Sequence, residues 1–207
     1  MRVKILLQIT TDDGAPGDVE EVASLDKSVE RAEDIGLSLA ESKALLVAAQ
    51  QRIVEAQTKN WTEGRRRCEA CCRPRRSKGS YPIVFHTLFG DVRLASPRFR
   101  RCPCQEEKGS ATASPLMDLI PNHVAPERLY LETRWASLVS YATAAELLAD
   151  ILPVTAGVNA TTVRRHVLRG RRARRSGPAK RQVLLRGEKP IGFGGAANPG
   201  GTRRGRL

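Results

Sequence analysis

The sequence predicts an α+β protein: a small N-terminal strand plus helix, a β-hairpin flanked by cysteines, a region of three helices and a basic tail. Three observations carry this. Apolar residues alternate in part over residues 2–10 and form two short runs around Gly90. They recur at spacings of three and four over 44–59 and again beyond Pro126. All five cysteines crowd into residues 68–104. Net charge divides the chain in the same way, −4 over residues 1–60, +6 over 61–125, 0 over 126–168 and +11 over 169–207, so the segments differ in kind.

Residues 2–10 read as a strand, and the turn-rich stretch from Thr10 to Pro16 ends it. The acidic residues 18–34 suggest a solvated helix or a flexible link. Ser38-Leu39-Ala40-Glu41 has the form of a capping box leading into a helix over 44–59, with Leu45, Ala48, Ala49, Ile53 and Ala56 on one face. Residues 1–60 form the first region. From Trp61 the chain turns basic, and 61–112 form the second region. There, residues 83–88 and 92–95 read as two strands joined through Phe89-Gly90-Asp91, where Gly90 can supply a positive φ.

Beyond Cys104 a polar stretch to Ser114 reads as a loop. The third region, 113–169, is helical. Pro126 suits the first position of a helix carrying Leu131, Trp135, Leu138, Val139 and Ala142 as its stripe. Thr143 to Glu146 has capping-box form and opens a second helix that buries Leu147, Leu148, Ile151 and Leu152 and ends at Pro153. Asn159 caps a third helix through Val163 and Val167. From about residue 170 onward Arg, Gly and Pro dominate without apolar periodicity, and such a segment is expected to stay disordered.

At 207 residues with 41% hydrophobic content the chain can bury one ordinary core or two small ones. A net charge of +13 calls for a polyanionic partner, nucleic acid first among them. No run of 18 apolar residues exists, and the short apolar start is broken by Gln8 and followed by Asp12 and Asp13, so neither a membrane helix nor a signal peptide is expected. The expected location is the cytoplasm, in association with the nucleoid.

Cys68-Glu69-Ala70-Cys71 is a C-x2-C knuckle, and Cys102-Pro103-Cys104 follows after the hairpin. Two thiolate pairs at the open end of a hairpin can close a tetrahedral zinc site and so fold an Arg-rich segment with little core, which makes the second region zinc-ribbon-like. The C-x-C spacing of the second pair is tighter than the usual C-x2-C. Cys72 is a spare thiol that can replace Cys71 or Cys104, and His86 and His123 are alternative ligands. Reduced cysteines packing as small hydrophobes are the competing reading.

The second and third helices suggest a helix-turn-helix with the last as reader, presenting Thr161, Thr162, Arg164, Arg165 and Arg169 to bases or phosphates, although the connection is longer than usual. Arg65, Arg66, Arg67, Arg75 and Arg76 form a second nucleic-acid surface suited to phosphates. Catalysis is not expected: beyond residue 150 Glu188 is the only carboxylate, and no Gly-rich phosphate loop, nucleophile elbow or H-E-x-x-H occurs.

Four segments in order, MRVKILLQITTDDG, GLSLAESKALLVAAQQRIVEAQ, GSYPIVFHTLFGDVRLASPRFRRCPC and APERLYLETRWASLVSYATAAELLADILP followed by GVNATTVRRHVLR, resemble transposases of the insertion-sequence family called ISKra-four. The resemblance covers roughly residues 1–169. It implies a bacterial protein whose N-terminal module recognises double-stranded DNA at element ends, with Cys68, Cys71, Cys102 and Cys104 in the metal-site positions. In that family a ribonuclease-H-like catalytic domain with an acidic triad and magnesium follows the matched region. Here an Arg, Gly and Pro sequence follows Arg169 instead, as in a truncated or frameshifted copy, so the expectation is a DNA-binding fragment without catalysis that can associate with full-length transposase. The alternatives are a zinc-ribbon RNA-binding protein, disfavoured by an aromatic content of 4%, and a helix-turn-helix transcription regulator.

Overall fold

The computed structural model describes residues 1–10, 14–104, 112–154 and 158–175. Strand β1 (Arg2–Thr10) pairs antiparallel with β2 (Pro16–Asp26) in a two-stranded sheet. The acidic stretch is therefore a strand, with a short 3-10 turn at Ala32–Asp34, and not a solvated helix or a link. A bulge explains why its sequence does not alternate. The register slips between Ile5 and Leu6, so Val22 and Ala23 both turn inward and break the period of two. Its carboxylates have partners that a local reading cannot see: Glu21 and Asp26 pair with Lys4 and Arg2 across the strands, and Glu20 with Arg52. Gly17 is required, because a Cβ there would lie 2.5 Å from the Ile9 carbonyl oxygen.

Helix α1 (Leu39–Gly64) starts at the capping box, with Ser38 Oγ accepting from the Glu41 N–H and the Glu41 carboxylate accepting from the Ser38 N–H. The Lys27 ammonium, and then the Ser38 groups, hold the Glu41 carboxyl down to about 2. The helix runs through position 60, and its most buried residues are Val54 and Thr58; of the expected face Leu45, Ala48, Ala49 and Ala56 are half-buried and Ile53 turns toward solvent.

The centre of the molecule is a long hairpin, β3 (Ser77–Thr87) and β4 (Gly90–Arg100), extended by a short third strand β5 (Thr112–Ala113) within what the sequence suggested was loop. Gly90, at φ +107°, closes the turn as expected. Ile83, Val92 and Leu94 on one face of the hairpin bury against Val54 of α1 and Leu116 of α2 (Pro115–Leu119). One core thus draws on segments from all three regions read in the sequence.

The remaining helices are α3 (Pro126–Trp135), α4 (Tyr141–Ile151) and α5 (Ala160–Arg175). Pro126 opens α3 as expected, but the helix stops at Trp135, and Leu138, 74% exposed, lies outside any apolar stripe. Ser140 caps α4 through the Thr143 N–H, so the expected box at Thr143 lies inside the helix. Its buried residues are Ala144, Ala145 and Leu148, with Leu152 packed against the same core as expected and Leu147 and Ile151 exposed, because α4 meets its neighbours through the face of Ala144, Ala145 and Leu148. Asn159 caps α5 through the Thr162 N–H, and Val163 and Val167 complete a second core with α4. The helix continues to Arg175, past the point where disorder was expected; the rest of the basic tail, residues 176–207, lies outside the described residues. Among the described residues no helix is long and apolar enough to cross a membrane.

Candidate metal centre and cationic surfaces

At the open end of the hairpin the Sγ atoms of Cys68, Cys71, Cys102 and Cys104 all lie within 4.8 Å of one another. Neighbouring sulfurs are 3.3–3.4 Å apart in three pairs, Cys71 with Cys102, Cys68 with Cys104 and Cys71 with Cys104. An ion with bonds of about 2.3 Å to each of four tetrahedral thiolates sets the sulfurs about 3.8 Å apart, so this spacing accommodates one ion. Four cysteines this close can hold a metal ion.

The first pair sits on a tight turn that the sequence builds locally. Arg67 bridges Pro74, the Cys68 N–H donates to the Arg73 carbonyl, and the Cys72 N–H donates to the Cys68 carbonyl. Cys72 closes this turn at φ +58°, a left-handed position that disfavours any residue with a Cβ. Its thiol is exposed and outside the cluster, so it replaces neither Cys71 nor Cys104. The second pair follows β4 directly, and the Arg100 N–H donates to the Arg76 carbonyl beside it.

Electrostatics favour a cation at this point. The N–H groups of Cys71 and then Ala70 aim at Cys68 Sγ and lower its thiol to about 6. The Cys104 N–H, then the thiols of Cys71 and Cys104, lower Cys102 as well. Cys104 moves the opposite way, pushed up first by Cys102 and then by Cys71 and Cys68. A further negative sulfur is disfavoured beside Cys68 and Cys102 until a positive ion joins them.

Neither histidine belongs to this cluster. His86 donates from Nδ1 to Asp91 at 2.8 Å near the turn end of the hairpin, and His123, at φ +56°, places its Nε2 3.2 Å from Met117 Sδ.

Around the cysteines the arginines gather from two directions. Arg65, Arg66 and Arg67 follow α1, Arg75 and Arg76 follow the knuckle, and Arg98, Arg100 and Arg101 come in along β4. The last three were overlooked at the sequence level, although the run Arg98-Phe99-Arg100-Arg101 before Cys102 is visible there. They are exposed, as are Arg66, Arg67 and Arg76. Arg65 instead stacks 3.2 Å from the Trp61 ring centroid, and Arg75 is half-buried with its Nε unpartnered, so these two are packed into the fold more than offered to a ligand. No described carboxylate pairs with any of the eight.

The second cationic surface is on α5. Thr161, Arg164, Arg165, Leu168 and Arg169 share its exposed side, opposite Val163, His166 and Val167, which are buried. Thr162 is half-buried beside its cap, at the margin of this stripe. No described carboxylate pairs with the three arginines.

A further polar constellation was not foreseen. Glu132 of α3, 0% exposed, accepts from Arg128 Nε at 3.1 Å through one oxygen and from His166 Nδ1 of α5 through the other. Arg128 also donates to Asp91 at 3.2 Å and to the Thr87 carbonyl at 3.3 Å. A chain of charge-assisted bonds, His86–Asp91–Arg128–Glu132–His166, thus ties the hairpin turn through α3 to α5. The spacing of Arg128 and Glu132 signals a helical pair, but nothing local reveals that it is buried.

Comparison with protein families, curated proteins and solved structures yields no match. The chemistry of these surfaces therefore carries the functional reading.

Proposed function

We propose that this chain is a DNA-binding module that recognises the ends of a mobile element, the N-terminal part of an ISKra-four type transposase, with zinc held structurally by Cys68, Cys71, Cys102 and Cys104. The observation that carries the reading is the stripe of Thr161, Arg164, Arg165 and Arg169 on α5, cationic, exposed and free of described carboxylates, backed by a buried apolar face. A helix with this division can enter the major groove of B-DNA, about 12 Å wide, and offer arginines to guanine edges. In this reading α4 and α5 are a helix-turn-helix variant with an eight-residue connection, residues 152–159. Four thiolates with no nitrogen or oxygen donor among them favour zinc, and they close the hairpin as in a zinc ribbon.

Duplex DNA is favoured over single-stranded RNA for a specific reason. In the cysteine half of the hairpin Phe99 is buried, and Trp61 and Tyr81 are each capped by an arginine, Arg65 at 3.2 Å and Arg98 at 4.9 Å, while Trp61 Nε1 donates to the Pro115 carbonyl. Rings so engaged make poor stacking platforms for unpaired bases. The module binds DNA in this reading and leaves strand transfer to other residues, so its place is on the nucleoid, with full-length transposase as a partner.

The test is competition at physiological salt between duplexes carrying terminal inverted repeats and random duplexes. At least about 1,000-fold preference for the repeats is expected. Equal affinity overturns the reading, and purified protein without zinc, or with unchanged zinc after Cys68→Ser and Cys102→Ser, overturns the metal assignment.

A further inference from the structure

We propose that the β3–β4 hairpin is a rigid spacer that sets two contacts on one DNA duplex about one helical turn apart, α5 at its turn end and the exposed arginines at its cysteine end. This inference rests on the DNA-binding reading and adds to it a second contact and a footprint of defined length.

The two cationic surfaces lie toward opposite ends of the hairpin, α5 beyond the turn through α3 and Arg98, Arg100 and Arg101 beside the cysteines. Strand β3 has 11 residues. At about 3.3 Å per residue a strand of this length spans at most roughly 33 Å, and the bulge between Ser77 and Ser80, where Gly79 sits at φ +96°, shortens it somewhat. At the turn end Arg128 holds the Thr87 carbonyl and Glu132, and Glu132 holds His166, whose neighbours Arg164 and Arg165 are exposed on α5. At the other end Arg98, Arg100 and Arg101 are exposed beside the cysteines. Between these ends, from Tyr81 to Phe85 and from Val92 to Pro97, Arg93 is the sole cation. Charge is thus concentrated where a duplex would be met twice. One turn of B-DNA is about 34–36 Å, so surfaces set beyond the two ends of such a hairpin can reach equivalent faces of one duplex.

Spacing matters only where the spacer is stiff, and three devices stiffen this one. The cysteine cluster closes one end, the buried Arg128–Glu132–His166 chain fixes the other, and Ile83, Val92 and Leu94 pack against α1 and α2 between them. Two contacts held rigidly at the correct distance raise the effective concentration of the second once the first is made.

The experiment uses the full chain with its metal. Affinity is measured on duplexes from about 8 to 24 base pairs, corrected for the number of binding registers, and strand cleavage by hydroxyl radicals is mapped on the tightest sequence selected from a randomised library. A step of at least about tenfold is expected as length passes roughly 14–16 base pairs, with two protected patches centred about 10 base pairs apart. The double variant Arg98→Gln, Arg101→Gln should keep its metal and the α5 patch, lose the second patch and the length step, and lower the salt slope by about 2. Arg98→Lys, Arg101→Lys should restore the slope. A single protected patch without a length step overturns the spacer while DNA binding stands. Failure to bind any duplex, or tighter binding to an RNA duplex of equal length, overturns the DNA-binding reading and the spacer with it.

Discussion

The two ends of the central hairpin are held by different chemistry. At the cysteine end the sequence supplies arginines and few apolar side chains, and cohesion falls to four sulfurs within 4.8 Å of one another. At the turn end the hairpin abuts α3, and cohesion comes from a buried ion chain next to the core of Ala144, Leu148 and Val163. The comparison teaches where a highly charged chain can put its charge. Arginines meant for a polyanion must stay exposed and unpaired, so the fold around them needs a bond type that does not depend on apolar burial. Where apolar residues suffice, one arginine can instead be buried with partners, and it then fixes geometry.

Removing the proposed zinc should break the comparison most forcefully. Structural zinc contributes roughly 10–16 kcal/mol of apparent binding energy to comparable small sites. Chelation, or Cys68→Ser, should therefore open the cysteine end while the α3–α5 cluster keeps its helical circular dichroism, with amide exchange rising first at residues 67–76 and 99–104. Simultaneous melting of both ends would show that they are one cooperative unit.

Next in size is Glu132→Ala, which strips Arg128 and His166 of a buried partner and should cost about 3–5 kcal/mol in denaturant unfolding. Replacing Arg128 and Glu132 together by Met and Leu should recover most of that stability. If the ion chain serves to orient α5, this apolar double variant stays folded and yet loses DNA affinity. Leu148→Ala, at a site 1% exposed, should cost about 2–5 kcal/mol and leave metal stoichiometry untouched. The smallest effect is expected at the knuckle. Cys72→Gly relieves a left-handed backbone at φ +58° and should stabilise the cysteine end by up to about 1 kcal/mol with metal content unchanged. Loss of metal in that variant would return Cys72 to the ligand set.

What could be read in advance followed the range of the interaction concerned. Caps, turns and the C-x2-C knuckle are local, so Ser38, Asn159, Pro126 and Gly90 stand where their chemistry puts them. Setting Cys72 apart from Cys71 needed backbone geometry, because adjacent thiols are equivalent on paper and only the turn, with Cys72 at φ +58°, leaves one of them outside the cluster. The strand over the acidic stretch was hidden by a bulge that puts Val22 and Ala23 on one side. Helix boundaries after Trp135 were misplaced because Ser140, not Thr143, offers the cap.

The sequence by itself determined the α+β character, the hairpin, the grouping of four thiols and the excess of arginine, since each depends on residues close in the chain or on composition alone. Only the tertiary structure decided that Glu132 lies between Arg128 and His166, 34 residues farther along, and that Arg98 and Arg101 stand at the opposite end of the hairpin from Arg164. The physical reason is that burial and distance belong to packed elements: a carboxylate on a helix carries no mark of whether water or another helix will face it.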